Sequence, residues 1–339
     1  MQVIGLKGVC RVLGDFSDPL NNGSYSPAPF GSHRWKRGDV TRFRWAAGQV
    51  SMRLILDVII SGLIQGAIYG LIAAGLNLQY GVARVLNVAH GEFVMVGAFW
   101  TYSMYTIFGC DPLLSVIIFS PISLFIGYLL YKSLFQYIRK SSETAEMFEG
   151  NSMLVSFGLL YVIQNLALLW WGTRTMAYSY FCSPLNFLGV TFEANRVLAL
   201  FIGAAVMAGF YFFLRNARLG KAIRAAAESP TSAELSGIDI HKVLGLCFGL
   251  GATLACVAGG LISMMNEISA SMGFPYLIIA LVVVVLGGLG NILGSFLGGL
   301  LLGLVTTVVM YWQPELTLIA SYLIFTLVLL VRPQGIFGR

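Results

Sequence analysis

Long uncharged stretches of apolar residues alternate with short polar or basic segments along most of this chain. Most of the stretches are close to the ~20 residues that a helix needs to cross the hydrocarbon core of a membrane. The pattern therefore predicts an all-α fold, a polytopic bundle of transmembrane helices. The apolar runs cover residues 54–80, 93–110, 113–131, 153–171, 197–214, 243–265, 276–312 and 317–331.

Two of the runs are too long to be read simply as one span each. The run 276–312 contains GGLGN at 287–291 and further glycines behind it, so we divide it into two helices near residue 290. The run 54–80 is either one tilted helix or a helix followed by a partly re-entrant segment that leads into residues 84–92. With these alternatives open, the pattern predicts about eight to ten membrane spans.

The composition is typical of a membrane protein, and the distribution of charge predicts its orientation in the membrane. Hydrophobic residues make up 57% of the 339 positions and charged residues 11%, against the ~25% charged residues of a soluble domain. The net charge of +6 comes from a few basic connections, a distribution that orients a chain in a lipid bilayer and does not indicate nucleic-acid binding. The positive-inside rule places residues 132–151, 215–242 and 332–339 in the cytoplasm. If 54–80 crosses once, the N-terminus lies outside and the bundle has nine spans.

The first 52 residues differ from the rest of the chain. They are polar and basic, with HRWKRGDVTRFRW at 33–45, and Met52 stands directly before the first apolar run. We interpret residues 1–52 as an extension that is disordered or that precedes the natural start, with a lipid-binding basic arm as the alternative. Residues 53–339 then form the transmembrane domain.

The most unusual polar group in the chain is the segment 84–97, RVLNVAHGEFVMVG. It brings Asn87, His90 and Glu92 together between two apolar runs, where ionisable groups are costly and therefore rare without a role. One interpretation places the three side chains on a translocation path or at its gate. The other has them cap the next helix at the cytoplasmic edge, with Glu92 at the positive end of the helix dipole. We favour a structural and gating role over direct contact with a substrate.

A second polar pair lies in the middle of the run 153–171. Gln164 and Asn165 are adjacent amides near the expected midplane of the membrane, where they need polar neighbours. Most such groups are hydrogen-bond partners between helices. Among them this pair is the best candidate for lining a path.

The connection 215–242 reads RNARLGKAIRAAAESPTSAELSGIDIHK and is too long for a mere connector. Residues 218–228 are Ala-rich and predict a helix. Ser229 followed by Pro230 is typical of a helix start, and Gly237 of a helix end. A short helix–turn–helix of this kind can insert into a groove of a soluble partner. The alternative is a solvated loop whose charges only set the topology.

Three segments together carry a resemblance to a known family. They are GAIYGLIAAGLNLQYGVARVLNVAHGEFVMVGAF at 66–99, GKAIRAAAESPTSAELSGIDIHKV at 220–243 and VLLVRPQGIFG at 328–338. The chain resembles branched-chain amino acid permeases of the LivH type, which work in ATP-binding cassette (ABC) importers. The resemblance covers about residues 53–339, and the first two segments are specific in combination.

The resemblance implies an ABC importer permease fold in the bacterial inner membrane. It implies a second, homologous permease subunit, two cytoplasmic ATPase subunits and a periplasmic or surface solute-binding protein as partners. The expected substrates are leucine, isoleucine and valine, with urea or short amides as the alternative. It also identifies 215–242 as the loop that couples the permease to the ATPase. The residues we assign to this contact are Lys221, Arg224, Glu228, Ala233, Leu235, Gly237 and Ile238.

The chain shows no sign of being an enzyme. The Gly220-Lys221 pair lacks the remainder of a nucleotide-binding phosphate loop, so ATP hydrolysis must come from a partner. Three histidines and five unclustered cysteines give no catalytic set and no metal site, and we expect no cofactor. The remaining alternative is a gradient-driven secondary transporter, which would need an ion-coupling carboxylate such as Glu92 or Glu267.

Overall fold

The computed structural model describes residues 37–187, 190–332 and 335. By its contacts the chain divides into two units, residues 1–49 and 50–339, and the second is described below. The predicted extension, residues 1–52, falls in part outside the described residues: only from Arg37 onward is its backbone described, as helix.

The described chain is helical almost throughout. The helices are α1 (Arg37–Ala83), α2 (His90–Phe108), α3 (Pro112–Leu130), α4 (Gln136–Ser141), α5 (Ala145–Trp171), α6 (Ala194–Asn216), α7 (Arg218–Glu228), α8 (Pro230–Leu235), α9 (Ile240–Ser263), α10 (Gly273–Gly287), α11 (Ile292–Trp312) and α12 (Thr317–Val331). A π turn, Tyr131–Phe135, joins α3 to α4, and a 3₁₀ turn, Pro314–Leu316, precedes α12. One short antiparallel pair, β1 (Pro184–Phe187) and β2 (Val190–Glu193), lies between α5 and α6.

Seven helical segments of the described residues are long and apolar enough to cross a membrane. They begin at Leu54, Pro112, Ala145, Ala194, Ile240, Ile292 and Pro314. Two further helices complete the bundle but are less typical. The helix α10 has 15 residues and rises about 22 Å, less than the ~30 Å of the hydrocarbon core. The helix α2 has 19 residues but starts with His-Gly-Glu.

The predicted division of the run 276–312 is confirmed. The helix α10 ends at Gly287, and α11 begins at Ile292 after a tight turn in which Gly288 and Gly290 have φ of +87° and +82°. Such φ values suit glycine because it has no Cβ. The side chain of Asn291 accepts a hydrogen bond from the Gly294 N–H and so caps the new helix.

The helix at the core of the bundle is α9. Within its most apolar 18-residue segment, 83% is buried. The helix crosses α2 at very short distance, because a Cβ added at Gly259 would overlap the carbonyl oxygen of Val94. A Cβ at Gly97 of α2 would likewise overlap the carbonyl oxygen of Cys256. Without a hydrophobic effect inside lipid, such close backbone packing between small residues is what holds membrane helices together.

Candidate functional site

The polar motif of residues 87–90 is held by a side chain of α1. Gln79 donates through Nε2 to the Phe248 carbonyl oxygen at 3.0 Å, which turns its Oε1 toward the motif. Asn87 donates to this oxygen at 3.1 Å, and His90 Nδ1 lies 3.2 Å from it. His90 Nε2 lies 3.0 Å from the Ile72 carbonyl oxygen. The three polar side chains are buried and form one network that ties α1, α2 and α9 together.

The network lies deeper than the cytoplasmic edge that the sequence suggested. Ile72 comes 11 residues before the end of α1 at Ala83, which is about 16 Å along the helix axis. The segment 84–89 therefore runs back along α1 before α2 begins at His90. The run 54–80 itself lies within one continuous helix up to Ala83, so of the two alternatives for this run the single long helix is confirmed. Water does not reach this depth in a membrane, so these polar groups must find their hydrogen-bond partners within the protein, and the network provides them.

Glu92 is the most costly group of the motif. Its side chain is fully buried, and neither carboxyl oxygen has a hydrogen-bond partner among the described residues. The carboxyl group packs against the first residue of α10, since a Cβ added at Gly273 would fall 2.5 Å from Oε1. The starts of α2 and α10 thus meet at this carboxyl group. It lies in the first turn of α2 and against the positive end of α10, where a negative charge is favoured.

Two buried polar positions on α1 were missed by the sequence analysis, Asn77 and Gln79. Asn77 donates to the carbonyl oxygens of Gly288 and Asn291, and its Oδ1 accepts from the Gly290 N–H at 2.6 Å. It therefore fixes the turn between α10 and α11. The sequence did contain a signal for these positions, the LNLQYG segment. It places two amide side chains two residues apart in an apolar helix, where they point in different directions.

Gln164 and Asn165 lie on the outer side of α5. Asn165 is exposed and donates only to the Tyr161 carbonyl oxygen of its own helix, at 2.8 Å. The surrounding face of α5 carries Tyr161 and Leu169, which are 60% and 80% exposed. The pair is therefore not joined to the network of residues 79–90.

A cavity of about 480 Å³ opens between the last part of α1, the first part of α5 and the last part of α10. Its wall is mainly aliphatic, and Glu146 and Glu149 are the two charged residues that line it. The cavity can take an apolar side chain and offers carboxylates to a cationic group. The apolar lining consists of Leu76, Tyr80, Leu86, Met153, Leu281, Val284, Val285 and Leu289, with Gly150 beside them.

The predicted helix–turn–helix of residues 218–237 is confirmed in detail. Ser229 caps α8 by accepting from the Ser232 N–H, Pro230 is its first residue, and Gly237 follows its end with φ of +82°. The side chains of Ile223 and Ala226 are buried, and so is Ala233 of α8. The element is thus attached to the bundle along one side.

The residues assigned to the ATPase contact fall on two sides of this element. Ala233 is buried and Ile238 packs against the core, so these two position the element. Lys221, Glu228 and Gly237 are exposed, and Leu235 is 86% exposed. The guanidinium of Arg224 donates to the Arg215 carbonyl oxygen at 3.2 Å and turns toward the end of α6.

At the opposite end of the bundle, tyrosines connect the segment 172–183 to the helix ends. Tyr180 donates to the Asp111 carboxylate, and the hydroxyl groups of Tyr178 and Ser263 lie 3.0 Å apart. Burial raises the pKa of Tyr178 to about 12, so its hydroxyl stays protonated at neutral pH. These contacts tie the segment 172–183 to the start of α3 and to the end of α9.

Comparisons with known proteins agree with this architecture. The family model described as branched-chain amino acid transport system / permease component matches residues 58–331. The permease protein BraD of the high-affinity branched-chain amino acid transport system of Pseudomonas aeruginosa is 31% identical over 296 residues, covering 84% of this chain and 96% of the relative.

Two further relatives cover most of the chain. LivH of Escherichia coli K12, a permease protein of the same kind of system, is 28% identical over 84% of this chain and 96% of its own length. The probable LivH permease of Methanocaldococcus jannaschii is 27% identical, over 79% of this chain and 88% of its own. The chain therefore belongs to the family of permease components of branched-chain amino acid transport systems.

Proposed function

We propose that this chain is one membrane subunit of an ATP-driven importer in the bacterial inner membrane, and that it carries leucine, isoleucine and valine inward. The observation that carries the proposal is the helix–turn–helix of residues 218–237, which is fixed to the bundle on one side and has Leu235 exposed on the other. The named systems of its relatives supply the substrate class.

The exposed side of this element is the proposed contact for the ATPase subunits. A leucine that is 86% exposed in a short, rigid helix has the form of an anchor for an apolar pocket of a partner. Lys221, Glu228 and Gly237 are exposed on the same element, while Ala233 and Ile238 hold it in position. ATP hydrolysis takes place in the partner, and it changes the permease because the partner binds this element differently in its nucleotide states.

A second, homologous permease subunit is proposed to pack on the exposed face of α5. Among the described residues Asn165 has only its own helix as a partner, and in lipid an unsatisfied amide is costly. A second subunit at this face would pair the amides of Gln164 and Asn165 and would place them on a path between the subunits. The solute-binding protein would dock at the opposite end from the coupling loop.

The substrate path is proposed to include the aliphatic cavity between α1, α5 and α10. Its apolar wall suits branched aliphatic side chains, and Glu146 and Glu149 suit the ammonium group of an amino acid. The network of Asn87 and His90, together with Glu92, lies where the start of α2 meets α10 and acts as the gate. Urea or a short amide would gain little from an aliphatic wall, which favours the amino acids.

Changing Leu235 to Asp tests the coupling contact. The tagged chain is co-expressed with its neighbouring transport genes, purified in mild detergent, and examined for bound ATPase and for uptake of labelled leucine in vesicles. We expect Leu235→Asp to lose the ATPase and the uptake while the amount of folded permease is unchanged, because the residue is almost fully exposed. Leu185→Asp, at an exposed leucine of β1, is the control and keeps the ATPase bound.

Retention of the ATPase and of uptake in Leu235→Asp would contradict the coupling contact. Uptake that proceeds without any ATPase in the preparation would contradict the importer and would favour a gradient-driven transporter. Uptake of urea in place of leucine would leave the importer in place and change its substrate.

A further inference from the structure

A second cavity, of about 290 Å³, lies at the cytoplasmic end of the bundle between α1, α6, α7 and the start of α11. We call it the headgroup cavity. It is separate from the aliphatic cavity of the proposed substrate path, and the two share no lining residue. Its apolar floor includes Leu78, Leu214 and Ile223, and its polar side includes Arg215 and Arg224.

The charge of the headgroup cavity is positive and uncompensated. Neither Arg215 nor Arg224 forms a salt bridge with an acidic side chain of the described residues. Arg224 uses one guanidinium nitrogen on the Arg215 carbonyl oxygen and keeps its other donors available. No glutamate or aspartate lines this cavity. Two guanidinium groups with free donors at one site suit a phosphate group in particular.

The start of α11 adds to the same field. Ile292 and Leu293 belong to its first turn and line the headgroup cavity. The first N–H groups of a helix have no partner within the helix, and its N-terminus carries a partial positive charge. A phosphate in the cavity would therefore meet two guanidinium groups and the positive end of a 21-residue helix.

An apolar track leads out of the headgroup cavity along an exposed side of α11. Leu293 at the cavity is 44% exposed, and the residues at the following four-residue steps, Leu297, Leu301 and Val305, are 44%, 43% and 40% exposed. Residues four apart lie on one face of a helix, so these side chains form a continuous stripe. A soluble anion would gain nothing from this stripe, whereas an acyl chain would cover it.

We propose that the headgroup cavity binds an anionic phospholipid of the cytoplasmic leaflet. The phosphate contacts Arg215, Arg224 and the start of α11, and one acyl chain lies along the Leu293–Val305 stripe. Basic cavities between membrane helices on the cytoplasmic side are where acidic lipid headgroups are recognised. The bound lipid would join α6 and α7 to α11 and so stabilise the base of the coupling element. The proposal does not depend on the substrate of the importer.

The test is a lipid titration of the purified, delipidated full-length chain, with bound lipid counted by native mass spectrometry. Phosphatidylglycerol and phosphatidylcholine of equal chain length are the two probes. The wild-type protein is expected to bind phosphatidylglycerol about tenfold more tightly than phosphatidylcholine, and Arg215→Gln and Arg224→Gln should each remove most of this preference. Arg218→Gln is the matched control, because Arg218 is exposed on the same loop but does not line the cavity.

Three results would overturn the proposal. Equal binding of both lipids by the wild-type protein would show that the cavity does not recognise an anionic headgroup. An equal loss of the lipid preference in Arg218→Gln and Arg215→Gln would show that the preference comes from general attraction by a basic surface. Displacement of phosphatidylglycerol by inorganic phosphate at similar concentration would assign the cavity to a soluble anion. A thermal unfolding curve for each variant in detergent checks that a loss of lipid binding is not a loss of fold. If Arg215→Gln does not fold, Arg215→Lys takes its place. This variant keeps the charge and is expected to keep the preference for phosphatidylglycerol.

Discussion

The imidazole ring of His90 sits between two oxygen atoms, Gln79 Oε1 and the Ile72 carbonyl oxygen. A neutral ring has one N–H donor and can satisfy one of them at a time. The ring also packs against Gly75, whose Cβ position is 3.1 Å from His90 Cε1. This one side chain thus joins the start of α2 to the middle of α1, both by polar contacts and by close packing.

Replacing His90 by Ala should therefore destabilise the protein. The change leaves two buried oxygens without this partner and opens a cavity beside Gly75, and we expect the free energy of unfolding to fall by about 2–4 kcal/mol. Thermal unfolding of the purified chain in detergent measures the effect. The control is His241→Ala, because His241 is exposed in the first turn of α9, and its effect should stay within about 0.5 kcal/mol. Equal shifts in the two variants would show that the His90 contacts contribute nothing.

At this scale the sequence singled out the unusual polar side chains of the motif but not the groups they contact. Asn87, His90 and Glu92 are conspicuous because they are polar in an apolar context. Their depth depends on the Ile72 carbonyl oxygen, which no sequence pattern marks, since every residue carries one. Gln79 was missed for a similar reason: an amide in an apolar helix predicts a hydrogen bond, and only the packing of α1 against α9 decides with whom.

Among the elements, α2 and α9 show how glycine sets the distance between helices. Gly259 lies where the Val94 carbonyl oxygen leaves no room for a side chain, and Gly97 lies opposite Cys256 in the same way. By contrast, a Cβ at Gly209 of α6 would meet no atom within 4 Å. Glycines inside apolar runs thus have different roles, and only the structure separates them.

Gly259→Ala and Gly209→Ala form a matched pair at this scale. The first must push α9 and α2 apart, and we expect it to cost about 3 kcal/mol and to lower the yield of folded protein. The second adds a methyl group in open space and should be neutral or raise the helix stability by up to about 1 kcal/mol. Size-exclusion profiles and thermal unfolding in detergent measure both. If Gly259→Ala were as stable as Gly209→Ala, the close crossing of α2 and α9 would be wrong.

The elements that local chemistry specifies were the ones that could be predicted. The Ser229-Pro230 start of α8 and the Gly237 turn follow from capping and from backbone preference within a few residues. The end of α10 at Gly287 was also readable from its glycines. The contacts at the start of α10 were not, because Gly273 packs against the carboxyl group of Glu92 and the backbone of α2, which are far away in sequence.

For the whole molecule, the orientation in the membrane is a prediction that depends on charge alone. The loop that carries α7 and α8 lies at one end of the bundle, and the tyrosine-rich segment 172–183 lies at the other. The positive-inside rule assigns the first to the cytoplasm, because Arg215, Arg218, Lys221, Arg224 and Lys242 all belong to it. Every functional proposal for the coupling loop depends on this assignment.

Cysteine labelling of intact spheroplasts tests the orientation directly. Cys182 is exposed in the segment 172–183, whereas Cys247 and Cys256 are buried, so a variant with Cys10 and Cys110 changed to Ser has one accessible native thiol. A membrane-impermeant maleimide should label Cys182 from outside. When Ser236, which is exposed in the coupling loop, is changed to Cys and Cys182 to Ser, the same reagent should react only after the membrane is opened.

The two labelling sites give opposite answers for the two possible orientations, and this makes the experiment decisive. Labelling at position 236 from outside would put Leu235 and the headgroup cavity on the side that has neither ATPase subunits nor the cytoplasmic leaflet. The importer, the coupling contact and the lipid site would then fail together, while the packing of α2 on α9 would be unaffected. Labelling of Cys182 alone leaves the coupling loop in the compartment where ATP is hydrolysed, so the Leu235→Asp and Arg215→Gln experiments each test one remaining contact.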